Sequence, residues 1–474
     1  MKRLVLTSFV LLLSLTSVAF GQIGFDFVGG GARSQAMGNA YIAISDDASA
    51  VGWNPAGLIV HETPLLGINW GSMAPRGATK VAGQTWDASG TFNSIGQAAF
   101  VAPLRISGRR FVGSLGITGN VEEFLNSGYY FYDDSATVHA FVDQGTSVID
   151  FEYTTPWYDE EVTDYHSNLN SFNAGFGTMF LGNTSIGFAL NVYYGRGERY
   201  TRTDHMQIAY PSDKWPQAVL MEFYQEVVDT TKYSGYNFTF GLKHAGSAVD
   251  LGLLLRTPFN LKTTTGVSIH NTLTYNGSIQ SGATNTIFID NIVYKYEIPW
   301  YFGGGVAFHP NEKFIAALDL EYRGFSGKKV KERIDWEVNQ DEEIYTEYDY
   351  LWFDAVAVRA GLEYVVHTDS KILPIVPLRA GFSFVQYPYS GSEAAAEVDT
   401  TGEGESIVFN RAMSSAPAAK TLSAGFGVQW SQIHLDVAYR YTFYDLDFDL
   451  LEGDAPLMIE NRDHKLSLSF TGYF

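Results

Sequence analysis

The feature that most limits what this chain can fold into is a change of polarity at every second residue, held over segment after segment. Ile433, Leu435, Val437, Tyr439, Tyr441 and Phe443 alternate with His434, Asp436, Ala438, Arg440 and Thr442. The same beat runs through Ile186, Phe188, Leu190 and Val192, through Val249, Leu251, Leu253 and Leu255, and through Leu318, Leu320 and Tyr322. Successive side chains leave opposite faces of a pleat, so period two specifies β-strand. Fourteen strands are expected, near residues 64–73, 94–106, 109–121, 167–181, 184–201, 233–245, 248–265, 298–309, 312–326, 352–366, 373–388, 418–430, 433–447 and 463–474. Their connections alternate between long stretches and tight turns such as Ser107-Gly108, Gly182-Asn183, Gly246-Ser247 and Pro310-Asn311.

Five or six residues suffice for a strand in a soluble sandwich, whereas about 9–11 tilted residues cross a bilayer. Long strands with tight turns on one rim and long loops on the other are the layout of a bacterial outer-membrane barrel. Aromatic residues at strand ends (Trp70, Trp300, Tyr301, Trp352, Phe353, Tyr364, Trp430, Tyr444) fit girdles at the membrane interfaces. The expected fold is all-β: a 14-stranded antiparallel transmembrane barrel over residues 64–474, a monomer in the outer membrane of a Gram-negative (diderm) bacterium. Asp250, Arg256, Asp319, Glu321, Arg323, Arg359, Glu363, Asp436 and Arg440 fall on the face opposite the apolar one. A lipid-facing Arg or Lys costs about 2–4 kcal/mol at the bilayer midplane, so these charges belong in the lumen. Their mixed signs read first as paired struts.

Met1-Lys2-Arg3, the apolar run Leu4–Phe20 and the small residues Ala19 and Gly21 before Gln22 form a secretory signal peptide, residues 1–21. The balance of 31 basic against 52 acidic residues, with no basic patch, excludes a nucleic-acid partner. With no cysteine in 474 residues, disulfides, thiolate metal sites and a Cys nucleophile are excluded. Neither His-Glu-x-x-His nor Gly-x-Ser-x-Gly occurs, and Gly29–Gly31 lacks the spacing of a dinucleotide loop. The chain therefore reads as a non-enzyme without cofactor or metal. The stretch 122–166 has 11 acidic residues and no Lys or Arg, and reads as a solvated acidic face rather than a Ca²⁺ site.

Residues 22–63 break the alternation. Six Gly and seven Ala stand between Gly29 and Leu58, which allows close packing against surrounding walls. Residues 32–45 are expected to form a short helix, Ser45-Asp46-Asp47 to start a second, and Asn54-Pro55-Ala56-Gly57 to turn. A small element attached to the N-terminal end of a wide barrel reads as a plug.

The run Gly29-Gly30-Gly31-Ala32-Arg33, Met37-Gly38-Asn39-Ala40-Tyr41, Asp46-Asp47-Ala48-Ser49-Ala50 and Trp53-Asn54-Pro55-Ala56-Gly57-Leu58 resembles the N-terminal hatch of the FadL/TodX family of outer-membrane hydrophobic-compound transporters. Similar hatches occur in PorV-like barrels of type IX secretion, so a cargo-docking interaction protein is the alternative. The last strand, ending through Phe470 to terminal Phe474, resembles the signal read by the barrel assembly machinery.

The family resemblance implies passive uptake of long-chain fatty acids or other hydrophobic compounds. The ligand would be captured by outer loops, held in a lumenal pocket at the hatch, and released sideways into outer-membrane lipid. It makes Gly38, Asp46, Asp47, Asn54, Pro55, Ala56 and Gly57 hatch or gate residues and Phe25 and Phe27 pocket-lining candidates. Arg256, Arg323, Arg359 and Arg440 become candidates to receive a carboxylate head. Residues 211–228 are expected to form an amphipathic helix presenting Trp215, Leu220, Phe223 and Val227, and 266–297 to be strand-like.

Overall fold

The first strand pairs antiparallel with the last, Leu65 opposite Tyr473 and Ile68 opposite Phe470, and this seam closes a fourteen-stranded barrel. This computed structural model describes residues 29–81, 84–143, 148–209, 219–275, 278–333, 345–349, 352–388, 392–398, 405–411, 415–448 and 457–474. The wall runs β1 (Leu65–Ala74, continued by Arg76–Val81), β2 (Gln84–Ser89, continued by Phe92–Ile106), β3 (Arg109–Asp143), β4 (Val148–Leu181) and β5 (Thr184–Ala209). It continues through β6 (Val219–Ala245), β7 (Val249–Arg256 and Phe259–Tyr275), β8 (Ser278–Ile298 and Tyr301–Asn311), β9 (Phe314–Arg323 and Lys329–Arg333) and β10 (Thr346–Asp349 and Ala355–His367). β11 (Ile375–Gln386), β12 (Ala418–Gln429), β13 (Ile433–Phe448) and β14 (Leu457–Tyr473) complete it. A small separate hairpin, Ser392–Val398 with Glu405–Arg411, lies between β11 and β12.

Burial is inverted relative to a soluble protein. Leu253, Leu318 and Leu320 are 58%, 55% and 60% exposed, while Arg359 and Asp319 on the alternate positions are 0% and 1% exposed. Apolar side chains outside and charges inside are what a lipid solvent selects. Among the described residues no helix is long and apolar enough to cross a membrane. The strands do so.

Several expected loops are strands. β3 and β4 pair from Phe111↔Thr178 out to Asp143↔Val148, so most of 122–166 is a long β-ribbon. At about 3.3 Å per residue, the 35 residues of β3 span on the order of 115 Å, far beyond a bilayer's ~30 Å hydrocarbon core. The acidic side chains of that ribbon lie outside the described ones. Of the helix expected at 211–228, residues 211–218 with Trp215 lie outside the described ones, and the rest is corrected: from Val219 onward the segment is β6, paired with β5 as Phe223↔His205 and Val227↔Thr201. The ladder supplies each backbone group with a partner that a lone surface helix would have to find within itself. Residues 266–297 are strand in β7 and β8, as expected.

Trp70, Trp300 and Tyr364 face outward as girdle residues should, but Tyr301 and Trp352 are buried inside. The wall irregularities beside them, at Pro299–Trp300 and around Asp354, accompany the change of face. Phe470 and Phe474 are exposed on the outer surface, and the Phe474 amide donates to the Pro64 carbonyl (2.9 Å) beside the closing seam.

Candidate functional site

The stretch from Gly29 to Ile59 lies inside the barrel and is almost wholly buried. It contains one helical turn, α1 (Ala32–Ala36), and two 3₁₀ turns, Ala48–Val51 and Pro55–Val60. The helix expected over 32–45 stops at Ala36 because Gly38 and Asn39 take left-handed backbone (φ 64° and 63°). At Gly38 the segment lies against β10 and β11 so closely that a Cβ would sit 2.6 Å from the Phe382 backbone. Asp47 starts the second turn by accepting from the Ser49 amide (2.8 Å). Asn54 accepts from the Ala56 amide (3.1 Å) and donates to the carbonyls of Ile42 (3.0 Å) and, on β6, Leu242 (3.1 Å). Pro55 occupies the first turn, where no backbone donor is needed. At Gly57 a Cβ would lie 1.9 Å from the Ser45 carbonyl oxygen.

This segment meets all fourteen strands. Ala48 packs on Gly67 of β1, Gly30 on Gln97 of β2, Gly52 on Thr118 of β3 and Val51 on Gly175 of β4. Ser185 of β5 donates to the Ala56 carbonyl (2.9 Å), and Asn54 reaches β6. Ile42 and Ala43 lie on Gly252 of β7 and Gly305 of β8, and Asp319 of β9 accepts from the amides of Tyr41 (2.6 Å) and Ile42 (2.8 Å). Met37 and Gly38 lie on Gly361 of β10 and Gly381 of β11. Ser423 of β12 accepts from the Gly38 amide (3.0 Å), Ala438 of β13 packs on Ala32 and Ala36, and Ser469 of β14 accepts from the Ala32 amide (2.8 Å). The inward glycines are required by this approach: a Cβ on Gly381 would stand 2.0 Å from the Gly38 nitrogen, and one on Gly187 2.2 Å from the Ala56 nitrogen.

An ionic network crosses the same contact. Arg33 donates to both carboxylate oxygens of Glu363 (2.8 and 2.9 Å) and also pairs with Asp46. Glu363 is shared with Arg379 (2.6 Å), which in turn reaches Asp436 (2.6 Å). The Tyr41 hydroxyl donates to Asp47 (2.8 Å). Burial is the largest influence on Asp46 and opposes its charge, but the cations Arg33 and Lys243 together hold the carboxyl below its usual range. The sequence reading placed Glu363 and Asp436 in the lumen but missed Arg379. That residue was findable, because it alternates with outward Leu378 on β11.

The four candidate arginines are distributed along the wall and each is engaged. Arg256 donates to the Gly52 carbonyl (2.8 Å), tying β7 to the N-terminal segment. Arg256 and Arg323 also lie over the Tyr301 ring, at 4.8 and 4.9 Å. Arg359 grips Glu321 with two hydrogen bonds (3.0 and 3.1 Å). Arg440 is half-buried on β13 and has an interaction of its own. Phe25 and Phe27 lie outside the described residues.

Sequence reading missed a packed aromatic cluster inside the barrel. Tyr296 and Trp352 stack (6.2 Å between rings), Phe325 meets Trp352 edge-on (5.4 Å), and Tyr193 stacks on Phe259 (4.9 Å). Leu169, Tyr233, Leu261 and Ile298 complete this buried cluster. Beside it a polar ladder crosses β3 to β6, in which Asn173 donates to Asn191 (2.7 Å) and Asn191 to Asn237 (2.8 Å).

No protein-family profile and no curated protein matches the chain. Solved structures do. A Pseudomonas aeruginosa FadL homologue aligns over 95% of this chain and 99% of its own, at 13% identity and a TM-score of 0.56. The Pseudomonas putida toluene transporter TodX aligns over 95% and 99%, at 13% identity and a TM-score of 0.53. The Ralstonia pickettii toluene transporter TbuX aligns over 95% and 100%, again at 13% and 0.53. From end to end, the chain has the fold of the FadL- and TodX-type barrels.

Proposed function

We propose that this protein is a passive outer-membrane uptake protein for hydrophobic compounds, with the N-terminal segment as its hatch. The observation that carries the reading is the lumen: one level is spanned by a segment that meets every strand, and an apolar, aromatic-rich cluster of inward side chains lies beyond it. Such an interior suits an apolar cargo, which gains about 0.8 kcal/mol per CH₂ on leaving water. The fold shared with TodX and TbuX supports the same reading. The final strand with Phe470 and Phe474 serves as the assembly signal in this proposal.

Within that class, neutral compounds are favoured over fatty acids. A carboxylate head needs an available cation, and all four candidates are engaged: Arg256 with Gly52, Arg323 with the Tyr301 ring, Arg359 with Glu321, and Arg440 in an interaction of its own. The test is uptake of labelled toluene and labelled oleate by cells lacking the protein and by cells restored with it. Restored toluene uptake that disappears on deleting residues 22–58 supports the hatch-dependent route. Equal uptake of both compounds in both strains removes the transport reading and directs attention to secretion partners.

A further inference from the structure

In a chain with 52 acidic residues against 31 basic ones, seven basic side chains gather on the outward face of five adjacent strands. They are Arg196 on β5, Lys232 on β6, Lys262 on β7, Lys295 on β8, and Lys329, Lys331 and Arg333 on β9. Their alternating neighbours Tyr233, Leu261, Tyr296 and Val330 point inward into the aromatic cluster, which fixes the face. Three of the seven stand directly opposite one another. Lys262 pairs with Lys295 in the β7–β8 ladder, and Lys295 with Lys331 in the β8–β9 ladder. Arg196 stands opposite Lys232 in the β5–β6 ladder. Like charges directly opposite on one face of a sheet are destabilising.

The protein's own acids relieve this crowding only in part. Glu347 takes both Lys331 (2.8 Å) and Lys329 (3.3 Å), and Glu198 takes Arg196 (3.0 Å). Glu297 adds a weaker attraction for Lys331, and Lys295 lies over the Tyr345 ring at 3.8 Å. Among the described residues, Lys232 and Lys262 are exposed and paired with no carboxylate. On β1 and β14, across the barrel, the pattern differs: Lys80 has Glu460 (2.6 Å) and Arg462 has Asp445 (2.7 Å), one acid for each base.

Height places the band against the membrane. Arg196, Lys232, Lys262 and Lys295 stand roughly 12–16 residues along their strands from the tight turns, whereas about 9–11 tilted residues cross the hydrocarbon core. The basic band therefore lies just outside the core on the long-loop side. Exposed Tyr194, Tyr236 and Trp300 lie below it on the same strands, where an interfacial girdle belongs. Above it β5 and β6 stay paired out to Ala209↔Val219, which gives a bulky headgroup a wall to lie against.

We propose that this face of β5–β9 binds the phosphorylated sugar headgroup of an outer-leaflet glycolipid, lipopolysaccharide. Neighbouring strands are about 4.8 Å apart, so the Lys262–Lys295–Lys331 rung spans roughly 10 Å. A headgroup with several anionic groups bridges that rung, while a lipid with one phosphate neutralises a single lysine. The site is independent of the uptake reading above, since it lies on the outer surface and needs no cargo.

The experiment titrates lipopolysaccharide into the purified protein in detergent and reads Kd by calorimetry. The variants are Lys262→Gln/Lys295→Gln/Lys331→Gln and, as control on the other wall, Lys80→Gln/Arg462→Gln. Phosphatase-treated lipopolysaccharide, phosphatidylglycerol and inorganic phosphate are the comparison probes. Expected are a tenfold or greater weakening in the triple variant, wild-type affinity in the control, and equally weak binding of the phosphatase-treated lipid by wild type and triple variant. Wild-type affinity in the triple variant overturns the site, and so does an equal loss in the control. Displacement of lipopolysaccharide by phosphatidylglycerol or inorganic phosphate at similar concentrations overturns headgroup recognition and leaves only general charge attraction. Should the triple variant fail to assemble, Lys262→Gln alone carries the same expectation at about threefold.

Discussion

Arg33 and Glu363 face each other with two parallel hydrogen bonds, one residue from the N-terminal segment and the other from β10, 330 positions later in the chain. Glu363 also carries Arg379, so a single carboxylate joins the segment to the wall and wall to wall. Removing one member of a buried pair leaves its partner's charge uncompensated, at a cost of about 3–5 kcal/mol. Glu363→Gln is therefore expected to destabilise the barrel more than Arg33→Met, because it takes a shared carboxylate from two guanidinium groups at once, leaving Arg33 with Asp46 and Arg379 with Asp436, whereas Arg33→Met leaves Glu363 its Arg379. The temperature at which the compact band disappears from detergent gels orders the two variants.

Gly381→Val is expected to unseat the N-terminal segment, since even its Cβ would lie 2.0 Å from the Gly38 nitrogen. Gly77→Val, where the nearest contact is 3.5 Å, is the matched control. Single-barrel conductance in planar bilayers reads the difference. Gly381→Val raises ionic leak and the control does not.

Neutralising Arg359 is expected to affect all cargoes alike. Its guanidinium is occupied by Glu321, so Arg359→Met lowers stability and leaves the ratio of oleate to toluene uptake unchanged. A selective loss of oleate would restore the carboxylate-receptor role to this residue.

Asp46 gives a pH dependence with a definite sign. Its folded pKa is held below the unfolded value, burial being opposed by Arg33 and Lys243 together, so its contribution is present above the ordinary carboxylate pKa of about 4. That contribution is lost as pH falls through the depressed value. The protection factors of amides in residues 29–61, with the intrinsic pH dependence of exchange divided out, are expected to stay flat from neutral pH to about 5 and to fall below about 4. Asp46→Asn should show low protection throughout.

The wall was legible because lipid imposes a strict alternation: Leu318, Leu320 and Tyr322 must face out if Asp319, Glu321 and Arg323 face in, and they do. Turns such as Ser107-Gly108, with both residues at positive φ, were legible for the same local reason. The β3–β4 ribbon was not, since its extent depends on which segment pairs with which, a nonlocal fact. The N-terminal segment could be seen as a string of small residues, but its contacts could not. Asn54 bonds to Leu242, 188 residues away, and the glycines that admit it are on strands spread through the whole chain. The aromatic cluster escaped notice in part because Trp352 sits at a strand end, where a girdle would also place it.

That the segment preceding β1 also touches β14 bears on how the barrel is made. Ala32 waits for Ser469, 437 residues later, and Gln35 for Ser467. Loops of that length are closed slowly, and their contacts form late. A full seat for the first-synthesised residues therefore exists only once the last strand has joined the first. Burial of Ala32 and Gln35 is in effect a completion mark for the closed wall.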